Sequence, residues 1–231
     1  MSPMERLQEL AREHTLPAAA PEQLDLLLRL LAQSPHALTS VRDPDRAVEV
    51  HIADSLSGLS APELRSTLQI ADLGSGGGFP GLVLAVALPQ ARVTLVESVS
   101  KKAEFLREAA IAMDLRNVAV VVARAEAWPE GLGASGAVTA RALAPLGVLL
   151  EYAAPLLHQG GALVAWKGRR DDAEESVAVR AALELGMSRP EYRPLASGEA
   201  ERHLCLSTKE SPTPDRYPRR TGVAHKRPLG A

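Results

Sequence analysis

Two acids and a run of glycines carry the chemistry that this sequence offers. In Asp72-Leu73-Gly74-Ser75-Gly76-Gly77-Gly78-Phe79-Pro80-Gly81 an acid precedes four closely set glycines, and Glu97 stands 23 positions after Gly74. Bare backbone at Gly74, Gly76 and Gly78 lets a ligand rest on the loop, and glycine accommodates positive φ. The apolar lead-in ending at Leu73 reads as a buried strand. Pro80 reads as the first residue of a helix, where its fixed φ is suitable. A strand, a tight loop and a helix in that order form a cofactor cradle.

Residues 76 to 81 also fit G-x-G-x-x-G, the dinucleotide fingerprint, which leaves an NAD-linked oxidoreductase as one reading. Asp72 argues against it, because a carboxylate near the loop repels a pyrophosphate across a short, poorly solvated gap. S-adenosylmethionine has a sulfonium and an ammonium but no phosphate, so an acid at the loop's mouth favours it. Arg92 to Glu97 reads as a second strand, ending in a carboxylate that can accept both ribose hydroxyls. Further strand ends bring Ala125, Glu126 and Arg141 to the same edge. Arg141 lies among small apolar residues, so an anion is expected beside it: a cofactor carboxylate, an RNA phosphate, a guanine oxygen or a structural salt-bridge partner. It is the candidate catalytic group.

Methyl transfer from a sulfonium needs alignment more than acid or base catalysis. His51, Asp54 and Ser55 lie a turn apart, but a mid-helix serine lacks the strand-to-helix elbow of a hydrolase nucleophile. A helix face bonded to the next domain's loop is the better reading. The chain has no Pro-Pro, which weakens methylation of an exocyclic base nitrogen. Its single Cys205 reads as core, which weakens a pyrimidine adduct mechanism.

The elements that must hold these groups follow from periodicity. Residues 1 to 66 read as a helical cap, with Leu24, Leu27, Leu28 and Leu31 as one stripe and Val48, Ile52, Leu56 and Leu59 as another, the second helix starting at Asp43-Pro44. Strands at 69–73, 92–97, 118–123, 136–140 and 161–167 alternate with helices at 80–88, 100–113 and 145–157, and Ser100 is the expected cap of the helix at 100–113. A helix at 171–186 and a hairpin-like pair, 188–194 and 202–208 around Ser197-Gly198, complete a mostly parallel seven-stranded sheet in residues 67–210. Residues 211–231 have five Lys/Arg and one Asp, +4 against −6 for the rest, and read as an extended basic tail. One cysteine, no apolar signal core and no spanning run suit a cytoplasmic protein without a membrane or metal partner.

Candidate phosphate contacts are Arg124, Lys167, Arg169, Arg170, Arg219, Arg220, Lys226 and Arg227. Tyr217, Trp128 and Trp166 are candidate stacking surfaces, each Trp also reading as core. At HIADSL (51–56), DLGSGGGFPG (72–81), VESVSKKAEFL (96–106), ARAEAW (123–128), ARALAPL (140–146), WKG (166–168), RHL (202–204) and the YPRRTG and KRPL blocks, the chain resembles the RsmG (GidB) methyltransferases of small-subunit ribosomal RNA. The resemblance implies an α/β, class I S-adenosylmethionine-dependent methyltransferase fold, Rossmann-like, with an N-terminal helical extension. It also implies methylation of guanine N7 in a loop of 16S rRNA, on free RNA or the small subunit, and cofactor contacts from Gly74, Phe79, Ala125, Glu126 and Arg141. Ala224 stands where that family usually has proline. A non-catalytic RNA-binding assembly factor is a further reading.

Overall fold

Leucines at helical spacing and β-branched runs between glycine turns build the elements of the computed structural model, which describes residues 1–36, 38–195 and 201–230. Helix α1 (Pro3–Glu13) starts with a reciprocal capping box between Ser2 and Glu5. In α2 (Ala20–Gln33) the stripe is confirmed, with Leu24, Leu27 and Leu31 buried. The helix ends two residues before Pro35. Asp43 caps α3 (Pro44–Ala47) through Arg46 N–H at 2.7 Å. The chain then runs through a π-helical stretch (Val48–Ala53), α4 (Asp54–Leu56), a 3-10 turn (Ser57–Ser60) and α5 (Pro62–Arg65). The wider π stretch was not evident from periodicity; such bulges are frequent at functional sites.

Next come β1 (Gln69–Leu73), α6 (Gly81–Ala87), β2 (Arg92–Glu97), α7 (Ser100–Ala112), β3 (Val118–Val122), β4 (Ser135–Arg141), α8 (Leu146–Leu156), β5 (Leu157–Lys167), α9 (Asp172–Leu185), β6 (Glu191–Pro194), β7 (His203–Thr208) and α10 (Val223–Lys226). Among the described residues the seven strands form one sheet in the order β3-β2-β1-β4-β5-β7-β6, with β7 antiparallel to both neighbours and the other pairs parallel. The order reverses at β1, flanked by β2 and β4, and that reversal opens a crevice at the strands' carboxyl ends. The expected fold class is the one found. The turn around Ser197-Gly198 lies outside the described residues.

Two apolar clusters cover the sheet. One joins α1, α2, the 48–64 helical run, α6 and α7, so the N-terminal helices share their core with the sheet. The other joins α8, α9 and the C-terminal residues Tyr217, Ala224 and Leu229. Three local expectations change. Helix α6 begins at Gly81, with Pro80 in the cap position. Ser100 makes no side-chain cap, and Val99 occupies that place. Residues 211–230 are not a loose extension: they form a strap over α8 and α9, because their polar groups find fixed partners there. Tyr217 OH donates to Glu184 at 2.5 Å, Arg219 grips Glu151 with two N–H groups, and Arg180 donates to Gly230 O at 2.6 Å.

Candidate active site

The glycine loop is held by its own backbone and by Glu97. Gly74 N–H donates to Val96 O at 2.8 Å, and Gly78 N–H to Ser75 O at 2.7 Å. Gly74, Gly76 and Gly78 have φ of 65°, 54° and 95°, so glycine is required at each. Glu97, 5% exposed, accepts from Gly76 N–H at 3.0 Å through Oε2 and from Val99 N–H at 2.8 Å through Oε1. Each oxygen keeps a lone pair free, since a carboxylate offers about four acceptor sites.

Asp72 occupies a different position from the one its spacing suggested. It lies beneath the loop, fully buried, not at its mouth. Thr139 Oγ1 donates to its Oδ1 at 2.8 Å, and a Cβ on Gly81 would meet its Oδ2 at 2.6 Å. Burial pushes its pKa up to about 6 against the help of Thr139 and Ser75. Its carboxylate lies between Thr139 and the start of α6, with no surface exposed.

Arg141 meets an anion from the protein itself. Its Nη1 donates to Asp54 Oδ2 at 2.7 Å and to Val50 O at 2.9 Å, while Arg202 binds the other Asp54 oxygen at 2.5 Å. Val50 in the π stretch and Asp54 at the start of α4 thus meet the end of β4, and Arg141 has the salt-bridge partner that was one of its readings. The Arg141 guanidinium also lies 5.5 Å from the centroid of the Phe79 ring. On that ring His51 stacks at 4.5 Å and 12°, with Thr39 Oγ1 2.9 Å from its Nε2. Burial and the Arg141 charge lower the His51 pKa to about 4, so the imidazole is neutral at pH 7. Ser55 Oγ donates to His51 O at 2.5 Å, which agrees with rejecting a triad. Asp54 and Arg202 were missed as site residues, although the HIADSL block contains the first and the RHL block the second.

The turn Ala125–Ala127 after β3 carries Glu126, half-buried, whose Oε1 accepts from Gly222 N–H at 2.9 Å. After β4, Ala142 has φ of 52°, a strained conformation for a residue with a Cβ, and Leu143 packs against Gly74. A cavity of about 520 Å³ opens beside this turn, lined by Ala142, Leu143, Ala144, Pro145, Lys167 and Glu174. A second cavity, about 1300 Å³, lies away from the loop between the N-terminal helices and β6, with Arg46, Asp54 and Arg202 on its wall.

The nucleic-acid candidates divide sharply. Tyr217 is 8% exposed, so it cannot stack on a base. Arg219 is committed to Glu151, Lys167 to Glu174 at 2.6 Å, and Arg170 to Glu175 at 2.6 Å. Trp166 is buried and donates to Asp54 O at 2.7 Å, and Trp128 packs against the core. Arg124, Arg169, Arg220, Lys226 and Arg227 remain exposed, without an ion pair among the described residues. Cys205 is buried, its pKa pushed up to about 12, as a core thiol should be.

These residues fit an adenosyl cofactor: a Cβ on Gly76 would meet only Gly74 O, at 3.7 Å, so the loop surface there is open, and Glu97 keeps acceptor capacity beside it. Comparison with known proteins points the same way. Residues 21–205 match the family described as GidB, rRNA small subunit methyltransferase G. The chain is 41% identical over 223 residues to ribosomal RNA small subunit methyltransferase G of Rubrobacter xylanophilus, covering 91% of this chain and 85% of that one. It is 42% identical over 196 residues to the protein of the same name from Chloroflexus aggregans, covering 83% and 82%. Among solved structures, the precorrin-6y C5,15-methyltransferase of Geobacter metallireducens has the same fold, with a TM-score of 0.53, 18% identity and coverage of 68% and 88%.

Proposed function

The chain belongs to the rRNA small subunit methyltransferase G family, and we propose that it methylates guanine N7 in a loop of 16S ribosomal RNA, in the cytoplasm. It is an S-adenosylmethionine-dependent rRNA methyltransferase. The observation that carries the reading is Glu97 held against the glycine loop with lone pairs to spare.

In this reading the loop backbone from Gly74 to Phe79 supports the cofactor, and Glu97 accepts from its ribose hydroxyls. Ala125 and Glu126 border the adenine. Asp72 acts through the loop that it seats. The bound cofactor supplies an activated methyl group on a sulfonium. Guanine N7 already has a lone pair and no proton, so the site needs no base. The protein's task is then to align the base and exclude water. His51 suits this, because a neutral imidazole stacked on Phe79 adds no charge beside a cationic product. Arg141, fixed by Asp54 and Val50, is a positioning group over the same ring. The cavity at Ala142–Pro145 adjoins the loop through Leu143 and is the entry we assign to the base. Arg124, Arg169, Arg220, Lys226 and Arg227 supply the phosphate contacts, with free rRNA or the assembled small subunit as partner.

The test is to incubate the protein with methyl-labelled cofactor and 16S rRNA and map the modified nucleotide. Label on a single loop guanine, lost on 7-deazaguanine substitution, is expected. Label at another atom or on protein overturns the proposal.

A further inference from the structure

Among the described residues the strap makes one polar contact with the cofactor end of the sheet, and it is specific. Gly222 N–H, presented by a left-handed residue with φ of 79° at the start of α10, donates to Glu126 Oε1 at 2.9 Å. Glu126 Oε2 accepts no hydrogen bond from the described residues. Everything around Gly222 fixes that N–H in space. Val223 N–H closes a turn onto Arg220 O at 3.0 Å, and Lys226 N–H donates to Gly222 O at 3.2 Å. Arg219, three residues earlier, is clamped on Glu151 and also donates to Arg227 O at 2.8 Å. Ala224 and Leu229 are buried in the α8–α9 cluster. On the opposite side, Ala127 N–H donates to Arg124 O at 2.9 Å and shapes the turn that carries Glu126.

We propose that the C-terminal strap is part of the cofactor site: the Gly222 N–H orients Glu126 so that its second oxygen reads the 6-amino group of the adenine. Gly222 is a positioning residue here, not a catalytic one. A carboxylate on a short surface turn samples several rotamers, and one fixed N–H selects among them. The bond adds no full charge, so Glu126 stays a strong acceptor. The arrangement also explains a glycine at 222: a Cβ there meets open space, so backbone conformation, not room, sets the requirement. The proposal rests on the reading of residues 125–126 as the adenine border.

The test compares two ligands that differ at the 6-position, S-adenosylhomocysteine and S-inosylhomocysteine, by calorimetric titration. The wild-type protein should bind the adenosyl ligand at least about tenfold more tightly, the scale of one hydrogen bond to a charged acceptor. Gly222→Pro removes the N–H and cannot adopt the native φ; its preference should fall to within about threefold. Gly222→Ala keeps the N–H and should keep the preference. A merely structural role would weaken both ligands equally and leave their ratio intact. Should Gly222→Pro lose its cooperative melt, truncation after Thr221, which keeps the Tyr217 and Arg219 anchors, serves in its place. A wild-type ratio in the Gly222→Pro or truncated protein overturns the strap's role while the cofactor reading stands. Absence of any preference in the wild type overturns the role of Glu126 and, with it, this proposal. Failure to bind either ligand overturns the cofactor site itself.

Discussion

At the glycine-loop end, Glu97 turns both oxygens onto backbone N–H groups, of Gly76 and Val99, whereas along the strap Glu151 meets a full charge, the Arg219 guanidinium, in a bidentate pair. Both carboxylates are buried. The difference lies in what remains after the protein's own bonds are made. Neutral N–H donors orient a carboxylate and leave its charge uncompensated, so it still attracts donors. A guanidinium saturates it. By that criterion Glu97 and Glu126 are open to a ligand, and Glu151 is structural. The same distinction applies to the cations: Arg219 is a clamp, while Arg220 beside it is exposed and has no ion pair among the described residues.

The largest effect should come from breaking the clamp. Arg219→Ala leaves Glu151, only 2% exposed, as an uncompensated buried charge, which costs about 3–5 kcal/mol. For a chain of this length that lowers the melting temperature by roughly 10 °C. Arg220→Ala should leave the melt within about 0.5 kcal/mol and instead lower the salt slope of RNA binding by about 0.7–0.9. Equal melting of the two variants would erase the distinction between clamp and contact.

That distinction also explains what could be read from sequence. The loop at 74–78 was legible because its requirements are local: positive φ demands glycine within a few residues of a strand end. Strand and helix periods gave the sheet for the same reason. The strap was not legible, because Arg219 and Glu151 are 68 positions apart and Gly222 and Glu126 are 96 apart. A Pro- and Arg-rich composition describes a loose tail equally well until those partners are located. Asp72 shows a subtler limit. Its spacing placed it correctly on β1, but that strand is buried on both faces, so the carboxylate lies beneath the loop and not at its mouth. Arg141 was correctly judged to need an anion, yet the anion, Asp54, came from the short helix that follows the π stretch, 87 positions away.

A smaller effect sharpens the other side of the comparison. Glu97→Ala should weaken cofactor binding about 10²-fold, the loss of one to two hydrogen bonds to a charged acceptor. The ligand-free protein should lose about 1 kcal/mol of stability, because Gly76 and Val99 N–H groups near the crevice can turn to water. Glu97→Gln, with one acceptor kept, should fall between the two. Titration of cofactor alongside a melt of the free protein separates the outcomes. A variant that melts as low as Arg219→Ala but binds normally would make Glu97 another clamp.

The smallest net effect is a pH dependence in which two buried groups oppose each other. The carboxyl of Asp72 rises from 3.8 to about 6 on folding, chiefly through burial. Stability from its protonated form is therefore present below about pH 4 and is lost as pH rises to about 6. The imidazole of His51, facing Arg141, Asp54 and Thr39, falls from 6.5 to about 4, again chiefly through burial. Stability from its neutral form is present above 6.5 and is lost as pH falls towards 4. Each displacement is on the order of 3 kcal/mol at its limit, so between pH 4 and 6 the two nearly cancel in the wild type. Removing one partner exposes the other. Asp72→Asn should lose stability on acidification from pH 6 to 4, relative to the wild type, and His51→Gln should gain it. Denaturant midpoints of the three proteins at pH 4, 5, 6 and 7 test the sign directly, because titrations common to all three cancel in the differences. Parallel curves for the two variants would mean that the loop end holds no such opposed pair.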